Sequence, residues 1–290
     1  MSRYPNQVKV PYDKDFLKRP FFAYGIFKRG QLSHSRIRDC IDEIEPYEVN
    51  RKMRIKDGVP LIVNQESTKI TKGQKISFLE DKRVDAYEAI SATEPDTIFG
   101  WDTIDVGGDE CNVLVGKHYG GTIGHVDGGG NYLDDFDGSN DPFFNKVPKF
   151  ICEELEKLES DDDESIFKFQ MYYMLLWTAI DRYCALKYEF STSQGDILEQ
   201  FYKDELFKQA VQELELEERG KIRSARDGGV FYYDLDRMDY VANFYYTIRS
   251  NVVHRGKEQN NKMNELKRSL NDLLDIFDLV IKKSFNENEI

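Results

Sequence analysis

The stretch GGTIGHVDGGGNYLDDFDGSNDPFF, residues 120–144, divides the chain into two parts of different character. Residues 106–145 hold 10 of the 20 glycines, a density that disfavours both regular helix and packed strand. An acidic run, EELEKLESDDDES, follows at residues 153–165. This composition has too little apolar surface to fold alone, so we expect a solvated linker over residues 118–160, with a short helix near residues 149–158.

The charge of the chain follows the same division. The net charge of the 290 residues is −13, but residues 105–165 alone carry 16 acidic and 4 basic side chains. Residues 1–104 have a net charge of +2 and residues 166–290 a net charge of −3. The acidity of the whole chain therefore does not exclude an acidic partner such as RNA for either flanking part.

The composition excludes several classes of protein. Hydrophobic residues make up 40% of the chain, with 19 Phe and 17 Tyr, which is enough to build cores and excludes global disorder. No run approaches the ~18 apolar residues that a membrane span needs, and the N-terminus lacks the apolar segment of a secretory signal. The four cysteines form no CxxC pair, so we expect no metal site and no cofactor. We expect a cytoplasmic protein with two domains and no membrane partner.

The front part, residues 17–117, has the pattern of a small β-rich domain. Short apolar and aromatic segments alternate with turn residues, and two amphipathic segments interrupt them. We predict strands at residues 20–30, 47–55, 60–63, 75–78, 99–106 and 111–115, and helices at residues 36–44 and 82–93. This order predicts a small β-barrel-like or α+β domain.

The rear part, residues 161–290, has the pattern of an all-α helical bundle. Apolar residues recur at helical spacing in a segment of about 25 residues that begins near Ser165. Three further stripes occur at residues 196–218, 237–254 and 263–280. Because four amphipathic helices bury their apolar faces best against one another, we predict a bundle, and an α+β fold class for the whole chain.

The third predicted helix carries a cationic cluster with one imidazole: Arg249, Asn251, His254, Arg255 and Lys257. An imidazole exchanges protons near neutral pH, and a guanidinium group binds phosphate oxygens in a bidentate fork. Asn251 could orient the phosphate or the imidazole. On an ideal helix Arg249 and His254 lie about 140° apart, so a shared phosphate requires side-chain reach, a helix end or a partner subunit. On spacing alone, a surface pair or a helix-dipole partner remains the alternative.

The segment RSNVVHRGK, residues 249–257, resembles the R-x4-6-H motif of HEPN domains. FKFQMYYMLLWTAIDRYCALKY, residues 167–188, is similar to the long first helix of that family, and residues 270–281 are similar to its closing helix. The resemblance covers residues 150–290.

HEPN domains are helical bundles that are often dimeric. Many are metal-independent ribonucleases in toxin–antitoxin, CRISPR or antiphage systems, with one composite site formed by two subunits. The resemblance implies that Arg249 holds the scissile phosphate and that His254 moves the proton while a ribose 2′-hydroxyl attacks. Arg255 and Lys257 would bind the substrate. Some members bind RNA or protein without catalysis, so an inert dimerisation or adaptor module is the alternative.

The front part carries its own motif, FAYGIFKRGQ, at residues 22–31. A strand that ends in Tyr-Gly and a turn closed by Gly30 can present backbone N–H groups to an anion. An ordinary turn at the end of a strand has the same pattern. The motif resembles the YGxLxxG loop of gamma-glutamylcyclotransferase-like domains. The order of segments downstream is also similar, and the resemblance covers residues 20–117. It assigns substrate binding to Tyr24, Gly25, Ile26 and Phe27.

In active cyclotransferases a glutamate after a helix shuttles protons while the substrate amine attacks its own side-chain carbonyl, which yields 5-oxoproline. Glu94 matches that position, and burial in a cavity would raise the pKa of its carboxyl group towards the range this task needs. Pro95 stands where the family usually has glycine, and Trp101 where an arginine often follows. The resemblance thus implies either a cyclotransferase-like enzyme or a small-molecule sensor.

Overall fold

The computed structural model describes residues 7–56, 59–117, 126–128, 144, 146–158, 163–188, 194–255 and 263–289. The chain has a mixed α+β fold, as the sequence predicts. It forms two compact units. Unit 1 comprises Met1–Gly138, Leu186–Thr192 and Phe285–Ile290, and unit 2 comprises Ser139–Ala185 and Ser193–Ser284. The main division at Gly138 falls within the glycine-rich stretch.

Unit 1 contains a six-stranded sheet with strand order β4-β5-β1-β3-β2-β6. Its elements are α1 (Lys14–Lys18), β1 (Phe21–Ala23), β2 (Ile41–Lys56), β3 (Val59–Phe78), α2 (Arg83–Thr93), β4 (Phe99–Val106), β5 (Asp109–Gly116) and β6 (Val126–Gly128). The short β1 is buried along its whole length. It lies antiparallel to β3, with Phe21 opposite Ile76, and parallel to β5, with Phe21 opposite Asn112.

The sheet corrects two predictions made from local pattern. Residues 36–44, predicted as a helix, form two 3-10 turns, His34–Arg36 and Arg38–Cys40, and then the start of β2. The three short strands predicted between residues 47 and 78 are parts of β2 and β3, which pair over most of their length. The backbone hydrogen bonds between β2 and β3 continue through polar residues, which a hydrophobicity pattern does not mark as strand. Hydrophobicity alone therefore underestimates the length of the strands.

The predicted linker also contains regular structure. β6 pairs with β2, with Gly128 opposite Met53, and α3 (Val147–Leu155) lies further along the same segment. The pairing shows that glycine-rich sequence can join a sheet when a long neighbouring strand supplies the hydrogen-bond partners.

Tyr87 holds α2 against the sheet of unit 1. Its ring is fully buried and lies 4.9 Å from Phe16 and 5.5 Å from Trp101, centroid to centroid. Its hydroxyl donates to the Arg19 carbonyl at 2.8 Å and accepts from Asn112 Nδ2 at 2.8 Å. Because every polar group of this ring is paired, the position of α2, and of the residue that follows it, is well defined.

Unit 2 is mainly helical. In addition to α3 it carries α5 (Gln194–Lys203), α6 (Glu205–Glu213), β7 (Lys221–Arg223), β8 (Val230–Tyr232), α7 (Met238–Arg255) and most of α4 (Asp163–Lys187) and of α8 (Met263–Glu289), whose last residues are assigned to unit 1. The 25 residues of α4 confirm the predicted long helix. The segment predicted over 196–218 breaks at Asp204, whose carboxylate caps α6 by accepting from Leu206 N–H at 2.8 Å.

The β7–β8 hairpin means that the prediction of an all-α rear part is wrong. Both strands are three residues long, too short for a period-2 pattern to stand out from the surrounding polar sequence. No helix among the described residues is long and apolar enough to cross a bilayer.

Candidate functional site

A small cavity in unit 1 has a volume of about 30 Å³. All five site residues predicted for the front part line its wall. It is lined by Phe21, Ala23, Tyr24, Gly25, Ile26, Phe27, Pro60, Glu94, Phe99 and Leu114. The lining is apolar except for the Tyr24 hydroxyl, the backbone and one carboxyl group. The fold therefore brings the loop after β1 and the residue after α2 to the same place.

Glu94 reaches this cavity because α2 ends directly before it. Its backbone is extended, with φ −112° and ψ 122°, and its N–H donates to the Ser91 carbonyl at 3.3 Å. A residue that precedes proline is disfavoured in the helical conformation, so Pro95 explains where the helix stops. The Glu94 carbonyl accepts from Val8 N–H at 3.0 Å, which attaches the N-terminal segment beside the site.

The Glu94 carboxyl group has an unusual electrostatic environment. The side chain is 7% exposed, and burial raises the pKa of the carboxyl group from 4.5 to about 8, with the nearby Arg36 guanidinium opposing the shift. Among the described residues none donates a hydrogen bond to this carboxyl group. A carboxyl group with such a pKa is mostly protonated at neutral pH and exchanges its proton near pH 8.

The loop that faces Glu94 is held by its own backbone. Lys28 N–H donates to the Gly25 carbonyl at 3.1 Å, and Ser33 N–H donates to the Ile26 carbonyl at 3.0 Å. The buried His34 ring places Nδ1 3.1 Å from the Phe27 carbonyl, and burial lowers the pKa of that imidazole. Three successive carbonyl groups of the loop are thus fixed, which gives the cavity a defined wall.

Tyr24 and Gly25 both line the cavity. The Tyr24 hydroxyl donates to the Leu114 carbonyl at 2.6 Å, and burial raises the pKa of this phenol well above its usual range. A Cβ atom on Gly25 would lie 3.3 Å from Pro60 Cγ, closer than most such contacts. Gly25 and Ile26 are half-buried and form the part of the wall nearest to solvent.

In unit 2 the cationic motif lies in the last turns of α7. The Arg249 side chain is half-buried, with its guanidinium carbon 5.5 Å from the centroid of the Tyr246 ring. Its Nε atom is buried and makes no hydrogen bond, and no carboxylate of the described residues pairs with this arginine. Arg249 is therefore a cation with unused hydrogen-bonding capacity.

Asn251 is buried, and both ends of its side-chain amide form hydrogen bonds. Its Oδ1 accepts from Ala225 N–H at 2.6 Å and its Nδ2 donates to the Arg223 carbonyl at 2.9 Å. These two bonds attach the β7–β8 hairpin to α7. The predicted role in orienting a phosphate or an imidazole therefore has only the second N–H and the second oxygen lone pair of this buried amide left to act with.

The other members of this motif are only partly described. His254 and Arg255 end α7, but their side chains lie outside the described part of the chain, and Lys257 lies in the undescribed residues 256–262. The predicted approach of Arg249 and His254 to one phosphate therefore remains a prediction.

The basic residues of ERGKIRSARD, residues 218–227, are close in sequence but differ in their environment. Arg219 is 3% exposed at its side chain and pairs with Glu265 at 2.8 Å and with Asp272. Lys221 and Arg223, only a few residues later, are exposed.

The sequence alone did not reveal the apolar lining of the Glu94 cavity, because aromatic residues of a strand core and of a cavity wall have the same sequence pattern. The turn signal Asp-Gly-Gly at residues 227–229 could have revealed the hairpin.

Comparison with known proteins found no matching protein-family model, no significantly similar curated protein and no significantly similar solved structure. The described residues also contain no group of three or more His, Cys, Asp or Glu side chains arranged to hold a metal ion. Arguments about function therefore rest on the motifs and on the geometry of the two sites.

Proposed function

We propose that unit 1 converts a small molecule in the manner of a gamma-glutamylcyclotransferase, with Glu94 as the group that moves protons. The observation that carries this proposal is the convergence of Glu94 and residues 24–27 on one cavity, although 66 residues separate them in sequence. β3 pairs with β1 and, at Ile62 opposite Val115, with β5, which supports a barrel-like interpretation of the sheet.

The reaction needs one group that can both accept and return protons. The ionised Glu94 carboxylate takes a proton from the α-ammonium group of a gamma-glutamyl amine, and the freed amine attacks the γ-carbonyl carbon. As the new C–N bond closes the five-membered ring, the bond to the departing amine breaks and the carboxyl group returns the proton to that nitrogen. The ring nitrogen then loses its second proton to the Glu94 carboxylate, which passes it to the departing amine, so that the amine leaves as an ammonium ion. The products are 5-oxoproline and an amine, and Glu94 is unchanged. A pKa of about 8 suits a group that must act in both directions near neutral pH.

The size of the cavity sets a condition on this chemistry. A volume of about 30 Å³ holds only a few water molecules, and a gamma-glutamyl group is larger. Substrate entry therefore requires Ile26 and its neighbours at the mouth to move outward. The apolar wall then replaces water around the substrate amine and around Glu94, which keeps the carboxyl pKa high during the reaction.

The test is release of 5-oxoproline from a panel of gamma-glutamyl amines and peptides, measured by mass spectrometry. We expect release by the unchanged protein and a loss of at least about 100-fold in Glu94→Gln. Glu88→Gln is the matched control: Glu88 lies on α2, is exposed and accepts from the Tyr12 hydroxyl at 2.8 Å. Equal release by Glu94→Gln would contradict the assignment of Glu94. Binding of a compound without release would favour the sensor alternative over the enzyme.

We propose a second function for unit 2: metal-independent cleavage of RNA by a HEPN-type site, with Arg249 binding the scissile phosphate and His254 transferring the proton. The specific observation that favours it is the Arg249 guanidinium, which pairs with no carboxylate of the described residues. The order of α4, α7 and α8 supports the bundle interpretation. Such an activity would act on cytoplasmic RNA in stress or phage defence.

An apolar surface of unit 2 supports the homodimer that this site requires. A groove of about 940 Å³ is bordered by α3, α4 and α7. Large apolar side chains in it are unusually exposed: Phe150 46%, Phe167 60%, Met171 51% and Val253 51%. Because Val253 directly precedes His254, a second copy packed on this surface would bring two motif helices together.

Incubation of labelled single-stranded RNA with the protein in EDTA tests the second function. We expect cleavage by the unchanged protein, none by His254→Ala, and a loss of at least about 100-fold in Arg249→Ala. Arg237→Ala is a control, because Arg237 stands directly before α7 and pairs with Asp239 at 2.8 Å. Cleavage by His254→Ala at the unchanged rate would contradict the proposal. Light scattering of Met171→Glu tests the dimer, and an unchanged dimeric mass would exclude this surface as its interface.

A further inference from the structure

The β7–β8 hairpin of unit 2 has one buried and one exposed face. Its register pairs Ile222 with Phe231 on one face, and Lys221 with Tyr232 and Arg223 with Val230 on the other. Because side chains alternate along a strand, the first pair faces the protein, where Ile222 is 3% exposed. The other face is turned to solvent, with Tyr232 54% exposed.

The exposed face is cationic in an acidic protein. Lys221 and Arg223 lie on the face itself, and Arg226 follows in the turn; all three are exposed and none forms an ion pair with a carboxylate of the described residues. The acidic residue of the turn, Asp227, accepts from Gly229 N–H at 2.9 Å. Backbone and Ser224 hydrogen bonds to that carboxylate lower its pKa, so it is occupied in shaping the turn. The chain as a whole has a net charge of −13, so this face, with three basic side chains that form no ion pair among the described residues, contrasts with the chain as a whole.

The hairpin is also firmly anchored, unlike an ordinary solvated loop. Directly after β8 the buried Tyr233 packs its ring 5.1 Å from Phe244 and 5.9 Å from Tyr245, centroid to centroid. Before β7, Arg219 is fixed by carboxylates of α8, and at the turn Asn251 holds Ala225 N–H and the Arg223 carbonyl. Because the backbone of the hairpin is already fixed, less conformational entropy is lost when its exposed side chains bind a partner.

We infer that the exposed face of β7–β8 is a docking surface for single-stranded RNA. Lys221, Arg223 and Arg226 bind successive phosphate groups, and the Tyr232 ring provides a platform on which an unpaired base stacks. An exposed tyrosine between cations favours a single strand, because the bases of a duplex are stacked on one another and inaccessible to the ring. Asn251, which holds the hairpin, lies between Arg249 and His254 in the sequence of α7, so the docking surface is attached to the motif helix.

The choice of RNA as partner rests on the proposed ribonuclease function, but binding can be measured without cleavage. The probe is a fluorescein-labelled 12-nucleotide single strand with 2′-O-methyl riboses, which lacks the attacking hydroxyl, titrated with the full chain in EDTA and followed by anisotropy. We expect Lys221→Glu/Arg223→Glu to weaken binding at least about tenfold and Tyr232→Ala about fivefold. The salt dependence should also fall, with the slope of log K against log salt reduced by about 1.4 in the double variant.

The matched control is Lys203→Glu/Lys282→Glu, which changes the net charge equally. Both lysines lie on helices of unit 2, 64% and 66% exposed, and pair with a glutamate and an aspartate one helical turn away. Circular dichroism establishes that each variant is folded. Equal weakening in both double variants would overturn the inference, since the effect would then be one of total charge. Competition by polyglutamate as strong as that by RNA would also overturn it, in favour of an acidic protein partner.

Cleavage of unmodified RNA distinguishes failure of the inference from failure of the proposed ribonuclease. If both proposals hold, the hairpin variants raise KM and leave kcat unchanged, whereas His254→Ala abolishes cleavage and retains binding. If no RNA is cleaved but the hairpin variants still lose affinity, the ribonuclease proposal fails and the docking surface stands. If the hairpin variants bind and cleave like the unchanged protein, the docking surface alone is refuted.

Discussion

The two candidate sites of this protein are built in opposite ways. In unit 1, Glu94 and the loop at residues 24–27 are far apart in sequence and meet in one buried cavity. In unit 2, Arg249 and Asn251 are two residues apart, yet the buried Nε of Arg249 has no hydrogen-bond partner among the described residues while Asn251 is buried and bonded to a hairpin. The comparison shows that residues close together in a motif can have different roles, whereas residues far apart in sequence can form one site.

The two sites also depend on water differently. The proposed chemistry of Glu94 depends on excluding water, since burial raises the pKa of its carboxyl group to about 8. The surfaces of unit 2 would bind a polyanion while exposed to water, and added salt would weaken that binding by screening the charges. The first site should therefore respond to pH and the second to ionic strength.

The sharpest contrast within unit 2 is between Arg219 and Arg223, which are four residues apart. Arg219→Ala leaves Glu265 and Asp272 without their buried cation, and we expect a loss of about 3–5 kcal/mol in the free energy of unfolding. Arg223→Ala should change that free energy by less than about 0.5 kcal/mol, because the side chain is exposed. Urea unfolding measures both. The only two tryptophans of the chain are Trp101 in unit 1 and Trp177 in unit 2, so a Trp101→Phe background isolates the unit 2 signal.

The pH dependence of stability tests the buried carboxyl of unit 1. Folding raises the pKa of Glu94 from 4.5 to about 8, so between these values the folded state binds more protons than the unfolded state. The contribution of Glu94 to stability is therefore complete below pH 4.5 and decreases by up to about 1.4 kcal/mol per pH unit as the pH rises towards 8.

Between pH 6 and pH 8 the decrease from this group should total about 2–3 kcal/mol. Glu94→Gln cannot ionise, so its stability should decline less over this range than that of the unchanged protein. Urea unfolding at pH 6, 7 and 8 provides the comparison, with Glu88→Gln as the control. Parallel stability curves for Glu94→Gln and the unchanged protein would show that the carboxyl group is not perturbed.

Asn251→Ala tests whether this residue acts as a structural tie. The substitution leaves Ala225 N–H and the Arg223 carbonyl without partners, and we expect a loss of about 2 kcal/mol in the free energy of unfolding. Asn243→Ala is the control on the same helix, since its Nδ2 donates only to the Asp239 carbonyl one turn earlier. A loss no greater than that of the control would contradict the structural role and return Asn251 to the list of candidate phosphate-orienting residues.

The smallest expected effect concerns the mouth of the Glu94 cavity. Ile26→Ala removes part of the half-buried wall and should lower the KM for gamma-glutamyl amines by about two- to fivefold, because less apolar surface has to move when the substrate enters. Steady-state kinetics over a series of leaving amines measures it. A rise in KM would mean that Ile26 binds the substrate directly instead of blocking its entry.

The sequence predicted the elements whose pattern is long and local. The helical stripe from Ser165 corresponds to α4, the amphipathic segment at residues 82–93 to α2, and the predicted closing hairpin to β4 and β5. It failed at residues 36–44 and at the β7–β8 hairpin. In these segments only a few residues carry the pattern, and pairing with distant strands or packing on α7 decides the conformation.

The sequence by itself determined the change from a β-rich front to a helical rear, the end of α2 at Pro95 and the presence of two chemically distinct motifs, because each depends on neighbouring residues. Only the tertiary structure decided that Glu94 is buried opposite residues 24–27, that carboxylates of α8 pair with Arg219, and that Asn251 attaches the β7–β8 hairpin to α7. The physical reason is that burial and pairing depend on which distant segments cover a side chain, and no local spacing encodes that choice.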